Sequence, residues 1–245
     1  MDLLEDTIPD ETLQKFSSIV YCAGLAHSST NLKKWNKYKR INSEVPVELF
    51  ERAQKLGVSN FIYISSSKAE EALKDLNSFP KDDIYAESKF LAEKLLLSSV
   101  EKDKTNLSII RPVLMYGPNL KGNLLTLKKL LTIMPIFPCP NTQNKKSLIH
   151  VDDVCLFIKT LLGTNSLPNG YTYQLSEKKP YTTPEILTSL NNSFNLKTKL
   201  LMINPILIKP FLSLNFIKRI FGDSHTRQNL GNIDYDIQFS LSDLS

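Results

Sequence analysis

Two rhythms of apolar positions alternate along the first half of this chain. Continuous apolar runs of strand length occur at Ser18-Ile19-Val20-Tyr21-Cys22-Ala23, at Phe61-Ile62-Tyr63-Ile64 and from Leu107 to Ile110, and predict buried strands. Between the first two, Tyr38, Ile41, Val45, Leu49 and Ala53 recur at helical spacing. They predict a helix over Asn36 to Gly57, with Gly57 as its C-terminal stop and a kink at Pro46. A further helix is expected from Tyr85 to about Val100, and a short one begins at Pro9-Asp10-Glu11. Strands alternating with helices imply parallel strands joined by crossover helices, an α/β sheet whose ligands bind at the carboxyl ends of the strands. Gly24, Ser66 and Pro112 all fall at such ends.

After Tyr116-Gly117-Pro118 the rhythm changes. A helix from Asn123 to Leu131, a proline-rich connection from Pro135 to Pro140 and a short strand from Ser147 to His150 are expected in turn. Val151-Asp152-Asp153 opens another helix, its acidic residues lying where the N-terminal dipole favours them. Tyr171 to Leu175 predicts a strand, and Thr183-Pro184-Glu185 the start of a helix. The apolar stretch from Ile206 to Phe221 contains Pro210, Lys209, Lys218 and Arg219 and cannot span a bilayer. A packed helix in a small lobe is the reading preferred over one lying on a membrane surface.

Composition adds boundaries. Hydrophobic residues at 42% and charged residues at 22% are ordinary for a folded globular protein and argue against disorder. The net charge of +5 comes from basic pairs such as Lys33-Lys34 and Lys145-Lys146, scattered with no block that would mark a nucleic-acid surface. Cys22, Cys139 and Cys155 are odd in number and widely spaced, which predicts reduced thiols in a cytoplasm. Met1 to Asp6 lack the pattern of a signal peptide. His150, Asp152 and Asp153 are read as a helix start in preference to a metal site, and no metal is expected.

The candidate chemistry lies in Tyr85-Ala86-Glu87-Ser88-Lys89, preceded by Ser65-Ser66-Ser67. On a helix Tyr85 and Lys89 emerge on one face a turn apart. An ammonium near a phenol favours phenolate and lowers its pKa, so the tyrosine can exchange a proton with a sugar or alcohol hydroxyl. A serine hydroxyl from a strand end can fix the same oxygen. The spacing alone carries little, because 9 tyrosines and 25 lysines supply about one such match by chance.

The ordered set carries more. Val20-Tyr21-Cys22-Ala23-Gly24-Leu25-Ala26-His27, Arg40-Ile41-Asn42, Phe61 to Ser66, Tyr85 to Lys89, Arg111-Pro112-Val113-Leu114-Met115-Tyr116-Gly117-Pro118 and Ser147 to Asp153 resemble the extended short-chain dehydrogenase/reductase family. Within it the set is similar to the NAD-dependent sugar-nucleotide epimerase and dehydratase branch, with UDP-sugar 4-epimerases and 4-keto-sugar reductases the nearest in look.

The resemblance implies a Rossmann-like doubly wound parallel sheet. Residues 1–118 would form a partial NAD-binding domain. Residues 119–245 would be mostly a small C-terminal substrate lobe, with 147–175 returning to the main sheet. It implies Tyr85 as proton donor or acceptor, Lys89 as the group that lowers its pKa and grips the nicotinamide ribose, and Ser66 as hydroxyl partner, with Ser67 as alternate. Ala23, Gly24, Asn42, Pro112 and Leu114 would line the cofactor, NAD with NADP left open. Asn123 and Lys146 would contact the diphosphate of a nucleoside-diphosphate sugar, most simply a UDP-sugar. Lys146 stands where the family has arginine, so a forked phosphate grip becomes a point charge. A homodimer through the Tyr85 helix and the Asn36 to Gly57 helix is also implied.

One departure stands against the match. The family opens with a Gly-x-x-Gly-x-x-Gly turn that holds the dinucleotide pyrophosphate at a helix N-terminus, and none of the eight glycines forms such a cluster. Asp2-Leu3 resembles the Asp-Leu that relatives place after their third strand. The chain is therefore expected to begin about 55 to 60 residues late against the family pattern, N-terminally truncated and without two strands and two helices of the sheet. The readings left open are hydride transfer at sugar C4, a catalytically incompetent remnant of a truncated or split gene, half of an assembly completed by an N-terminal fragment in trans, and, least favoured, a scaffold.

Overall fold

The computed structural model describes residues 8–25, 31–72, 83–120, 122–141, 143–164, 168–204 and 206–207. Ala26 and His27, the loop through Pro80 and nearly all of the Ile206 to Phe221 stretch lie outside the described residues. In chain order, α1 (Asp10–Leu13) precedes β1 (Ser18–Tyr21). A 3-10 turn at Leu32–Lys34, α2 (Trp35–Lys39), a π turn at Arg40–Glu44 and α3 (Val45–Leu56) lead to β2 (Asn60–Ile64). Then come α4 (Ala69–Ala72), α5 (Ile84–Ser98) and β3 (Asn106–Pro112). The rest comprises β4 (Leu114–Tyr116), α6 (Gly122–Ile133), β5 (Ile136–Pro140), β6 (Lys145–Lys146), β7 (Leu148–His150), α7 (Val151–Gly163), β8 (Tyr171–Leu175), β9 (Tyr181–Thr182), α8 (Thr183–Ser193) and β10 (Lys199–Ile203).

The main sheet has the order β1-β2-β3-β8, and β1, β2 and β3 pair in parallel. Gly170 N–H donates to Leu107 O and Val113 N–H to Leu175 O, so β8 follows the same chain direction as β3. This is the expected parallel α/β sheet with flanking helices. Phe61, Ile62 and Tyr63 of β2 are all buried, as both faces of a covered parallel strand require. The described residues up to Pro112, together with those of Phe157–Gln174, form one compact unit, and the described residues of Val113–Leu156 and from Leu175 onward form another. The first unit has its own core, built on Phe50, Phe61, Tyr63, Leu96, Leu107 and Ile109; the second is packed around Leu124, Leu131, Phe137, Leu148, Leu187 and Leu190.

The expected helix from Asn36 to Gly57 departs from regularity one turn before its proline. Val45 N–H reaches back five residues to Arg40 O, and Pro46 sits in the first turn of α3 with no N–H to offer Asn42 O. Two buried phenols serve these carbonyls instead: Tyr21 Oη donates to Ile41 O at 2.8 Å and Tyr63 Oη to Asn42 O at 2.8 Å. The bulge turns Asn42 and Ser43 fully inward. Gly57 ends α3 at φ 75°, the left-handed C-terminal position the sequence predicts.

In the second unit the proline-rich stretch expected as a connection is the strand β5, paired in parallel with β10. Pro138 and Pro140 alternate, so their missing donors fall on one side of the strand, while Asn141 N–H, in phase with residues 137 and 139, donates to Ile203 O at 3.0 Å.

α8 opens with a capping box. Thr182 Oγ1 accepts from Glu185 N–H, and Thr182 N–H donates to the Glu185 carboxylate at 2.7 Å. That bond, with Lys179 Nζ at 2.9 Å, holds the Glu185 carboxyl down at about 2. Thr182→Ala is expected to cost about 1 kcal/mol in urea unfolding. Glu185 ionises more easily folded than unfolded, so its share of stability is present above its ordinary value of 4.5 and disappears as pH falls towards 2. Thr182→Ala keeps the backbone N–H and should retain most of its deficit there, whereas the deficit of Glu185→Ala relative to wild type should shrink in that acid window.

Candidate active site

Three parallel strands deliver their carboxyl ends to one edge of the main sheet, and α5 presents its first two turns there. Asp83 begins the helix by accepting from Tyr85 N–H at 3.2 Å, and its other oxygen takes Lys68 Nζ at 2.8 Å. The turn after β2 is thereby tied to the start of α5. Ser66 Oγ accepts from Lys68 N–H at 3.2 Å, and the Ser66 hydroxyl acts on the Tyr85 phenol, favouring its ionised form. Ser67 contributes its backbone, donating to Pro112 O at 3.0 Å and fastening the end of β2 to the end of β3.

Lys89 lies one turn beyond Tyr85 and is buried. Its ammonium donates to Ile64 O at 2.8 Å and stands 4.7 Å from the centre of the Tyr63 ring. Burial brings the Lys89 ammonium down to about 8, opposed by the Glu93 carboxylate and, less strongly, by Cys22. The sequence predicts that Lys89 lowers the Tyr85 pKa. In this geometry burial instead raises the phenol above its ordinary value, the Ser66 hydroxyl partly opposes that rise, and Asp83 adds to it. The Lys89 ammonium is engaged with Ile64 O and the Tyr63 ring.

Gly24, exposed at the end of β1, faces Asn42 and Lys89. A Cβ at Gly24 would stand 3.0 Å from Asn42 Oδ1 and 3.4 Å from Lys89 Nζ, so the position keeps a close approach that a side chain would fill. Asn42, expected to line a cofactor, is fully buried and acts through its neighbours. Its amide donates to Leu25 O at 3.1 Å and Ser88 Oγ at 2.9 Å and accepts from Leu25 N–H at 2.8 Å, fixing the backbone after Gly24. Ser88 Oγ in turn donates to Tyr85 O at 2.9 Å, and Ser43 Oγ donates to Ser88 O at 2.7 Å. Ala23 is half-buried beside Gly24.

Leu114, Asn123 and Lys146 belong to the second unit. Leu114 is 38% exposed, Asn123 lies in the first turn of α6, and Lys146 pairs with Tyr181 between β6 and β9. Burial brings the Lys146 ammonium down to about 8. His150 stacks edge-on to Tyr116 at 5.0 Å and its Nδ1 accepts from Asp152 N–H at 3.2 Å, the helix-start role the sequence assigns it. Gly117, at φ 155°, leaves room for Val151, whose Cγ1 a Cβ would meet at 2.7 Å. Among the described residues no three His, Cys, Asp or Glu side chains converge as a metal site, no disulfide joins the three cysteines, and no helix is long and apolar enough to cross a membrane.

Sequence reasoning passed over Lys68, Asp83, Ser88 and Glu93, all of which bear on this edge. Glu93 left a readable signal. Tyr85, Lys89 and Glu93 follow one another at four-residue steps, placing two charges on a face that packs against β2 and β3.

A parallel α/β sheet carrying a serine, a tyrosine and a lysine at its strand ends defines a class of dehydrogenase-like folds. The model of the NAD dependent epimerase/dehydratase family matches residues 1–175, and the chain belongs to that family. It is 29% identical over 239 residues to a UDP-glucose 4-epimerase of Vibrio cholerae, covering 89% of this chain and 72% of that protein. To an N-acetyl-alpha-D-glucosaminyl-diphospho-ditrans,octacis-undecaprenol 4-epimerase of Escherichia coli O157:H7 it is 26% identical over 204 residues, covering 80% of this chain and 60% of that protein. Among solved structures, the UDP-glucuronic acid 4-epimerase of Bacillus cereus in complex with NAD superposes with a TM-score of 0.67 at 18% identity, over 83% of this chain and 68% of that one. A dTDP-4-dehydrorhamnose reductase of Bacillus anthracis in complex with NADP gives 0.63 at 17% identity, over 86% and 83%.

Proposed function

We propose that this chain supplies the catalytic face of a NAD-dependent nucleoside-diphosphate-sugar 4-epimerase or 4-keto-sugar reductase, with Tyr85 as the acid/base at the sugar C4 oxygen. The turn after β2, held to the start of α5 by Lys68 and Asp83 at 2.8 Å, puts Ser66 with Tyr85 and Lys89 at a strand end of the main sheet and carries the proposal. The close approach at Gly24, beside Asn42 and Lys89, fits a dinucleotide laid against backbone. Ala23, Gly24, Asn42, Pro112 and Leu114 would hold it, and Lys89 would meet the nicotinamide ribose. When bound, the nicotinamide takes up hydride from C4 or delivers it there.

Tyr85 does the complementary proton work. In the oxidising direction its phenolate takes the C4 hydroxyl proton; in the reducing direction its phenol returns one to the carbonyl oxygen. Burial favours the protonated form, the one needed for reduction. The Ser66 hydroxyl stabilises the phenolate needed for oxidation, and a protonated Lys89 offers the neighbouring positive charge. Asn123 and Lys146 would bind the diphosphate, in keeping with the UDP-sugars named for the relatives. A homodimer through α3 and α5, and a cytoplasmic setting for the reduced thiols, belong to the same proposal.

One sequence fact favours a second reading. Residues 1–245 contain no Gly-x-x-Gly-x-x-Gly, the turn by which such folds grip a pyrophosphate. The competent enzyme would then include a further segment that supplies this turn, or this stretch would be a remnant. Calorimetric titration of residues 1–245 with NAD and NADH separates the two. Micromolar binding together with interconversion of UDP-glucose and UDP-galactose supports the first reading. No binding, with activity restored by adding a polypeptide that carries the glycine turn, supports completion in trans; no activity even then supports the remnant.

A further inference from the structure

Glu93 is buried, lies in the catalytic helix and has no part in the chemistry described above. Its carboxylate takes three bonds from Arg111: Nε to Oε1 at 2.9 Å, Nε to Oε2 at 3.2 Å and Nη2 to Oε2 at 2.5 Å. Ser65 Oγ donates to the same Oε1. Each partner stands one residue from a position of the proposed site. Ser65 precedes Ser66, Arg111 precedes Pro112, and Glu93 itself is one helical turn beyond Lys89. A single carboxylate therefore fastens the ends of β2 and β3 and the body of α5 to one another. Backbone bonds run along the same seam: Ser65 N–H to Ile110 O at 2.7 Å, and Ser67 N–H to Pro112 O at 3.0 Å.

Stability does not call for this arrangement. Glu93 is 2% exposed, and a buried ion pair replaced by apolar side chains of similar volume often leaves a fold as stable or more so. What a charge pair supplies and an apolar contact does not is direction, because forked guanidinium bonds fix orientation as well as distance.

We propose that Glu93 is a positioning residue for the reaction proposed above, holding Ser66, Pro112 and Lys89 in register through Ser65, Arg111 and its own helix. The charged and titratable groups that face this seam are Arg111 from β3, Tyr63 from β2, Lys89 from α5 and Cys22 following β1. The Glu93 carboxylate supports the Lys89 ammonium, so its removal favours loss of that proton at lower pH.

The test uses the full chain, together with the glycine-turn polypeptide if that proves necessary for activity, and UDP-glucose and UDP-galactose as probe substrates. Glu93→Gln keeps shape and an acceptor for Ser65 while removing the charge. It is expected to lower kcat about 30-fold or more, with KM changed less than about threefold, and to move the alkaline limb of the rate profile to lower pH. In ¹³C-lysine-labelled protein the Lys89 signal should titrate at least about one pH unit lower. Cys22→Ser in both backgrounds removes the thiol as the source of that shift. The double variant Glu93→Leu/Arg111→Leu should recover the melting temperature yet stay as slow as Glu93→Gln. A folded Glu93→Gln with unchanged kcat and an unmoved Lys89 titration overturns the proposal, as does a double variant whose activity returns with its stability. Should the wild type prove inert towards UDP-sugars under all these conditions, the proposed function fails while the Lys89 titration still judges Glu93.

Discussion

Tyr85→Phe is expected to reduce turnover of a UDP-sugar at C4 by about 10³-fold, roughly 4 kcal/mol of transition-state stabilisation. The substitution deletes one oxygen and keeps the ring. Ala86, Ser88, Lys89 and Ala92 remain buried around the same helix face, so the melting temperature and the circular dichroism should match wild type. Ser66→Ala should cost less, about 10²-fold, because it removes the hydroxyl that favours the phenolate and leaves the proton carrier in place. Ser67→Ala should stay close to wild type, since Ser67 ties the strand ends through its backbone N–H. That ordering can be read from steady-state rates in the system competent for cofactor binding. A Ser67→Ala loss larger than the Ser66→Ala loss would assign the hydroxyl partner to the wrong serine. Retention of activity by Tyr85→Phe would remove the proposed acid/base altogether.

The largest stability effect is expected at Phe61→Ala. Phe61 is fully buried at the middle of the main sheet, level with Ile19 of β1 and Leu107 of β3. Its ring meets Phe50 of α3 edge-on at 5.2 Å. Truncation leaves a cavity between sheet and helix that β-strands paired on both sides cannot close. The expected loss is about 3–5 kcal/mol, a large part of the roughly 5–15 kcal/mol that holds a domain folded. Urea unfolding should show the midpoint collapsing, with some protein unfolded before denaturant is added. Phe16→Ala is the control: at 57% exposure it should change stability by no more than about 0.5 kcal/mol. A small effect at Phe61 would mean that the core seam of the first unit lies elsewhere.

The main sheet was legible because parallel strands covered on both faces write themselves as unbroken apolar runs, and Phe61-Ile62-Tyr63-Ile64 and Leu107 to Ile110 are such runs. Tyr85 and Lys89 were legible for a similar local reason, four residues apart on one helix. β5 was not. Its prolines argue against a strand until β10 is seen to take the side on which they are not needed, and β10 lies some sixty residues on. The π turn before Pro46 was half legible. Proline announces a disturbance, but its form depends on Tyr21 and Tyr63, two strand residues whose hydroxyls take the carbonyls at Ile41 and Asn42.

The sequence by itself determined the alternation of strands and helices, the stop at Gly57, the helix start at Asp152 and the residue types that can move a proton at a strand end. Each of these is settled within a turn or a short run of neighbours. The tertiary structure alone decided that Lys89 leans on Ile64 O and the Tyr63 ring, that Asn42 holds Leu25 from inside the protein, and that Glu93 joins two strand ends to the helix between them. These depend on which side chains, distant in the chain, come within hydrogen-bond reach once the sheet is paired, and on burial, which raises the Tyr85 phenol where a neighbouring ammonium alone would lower it.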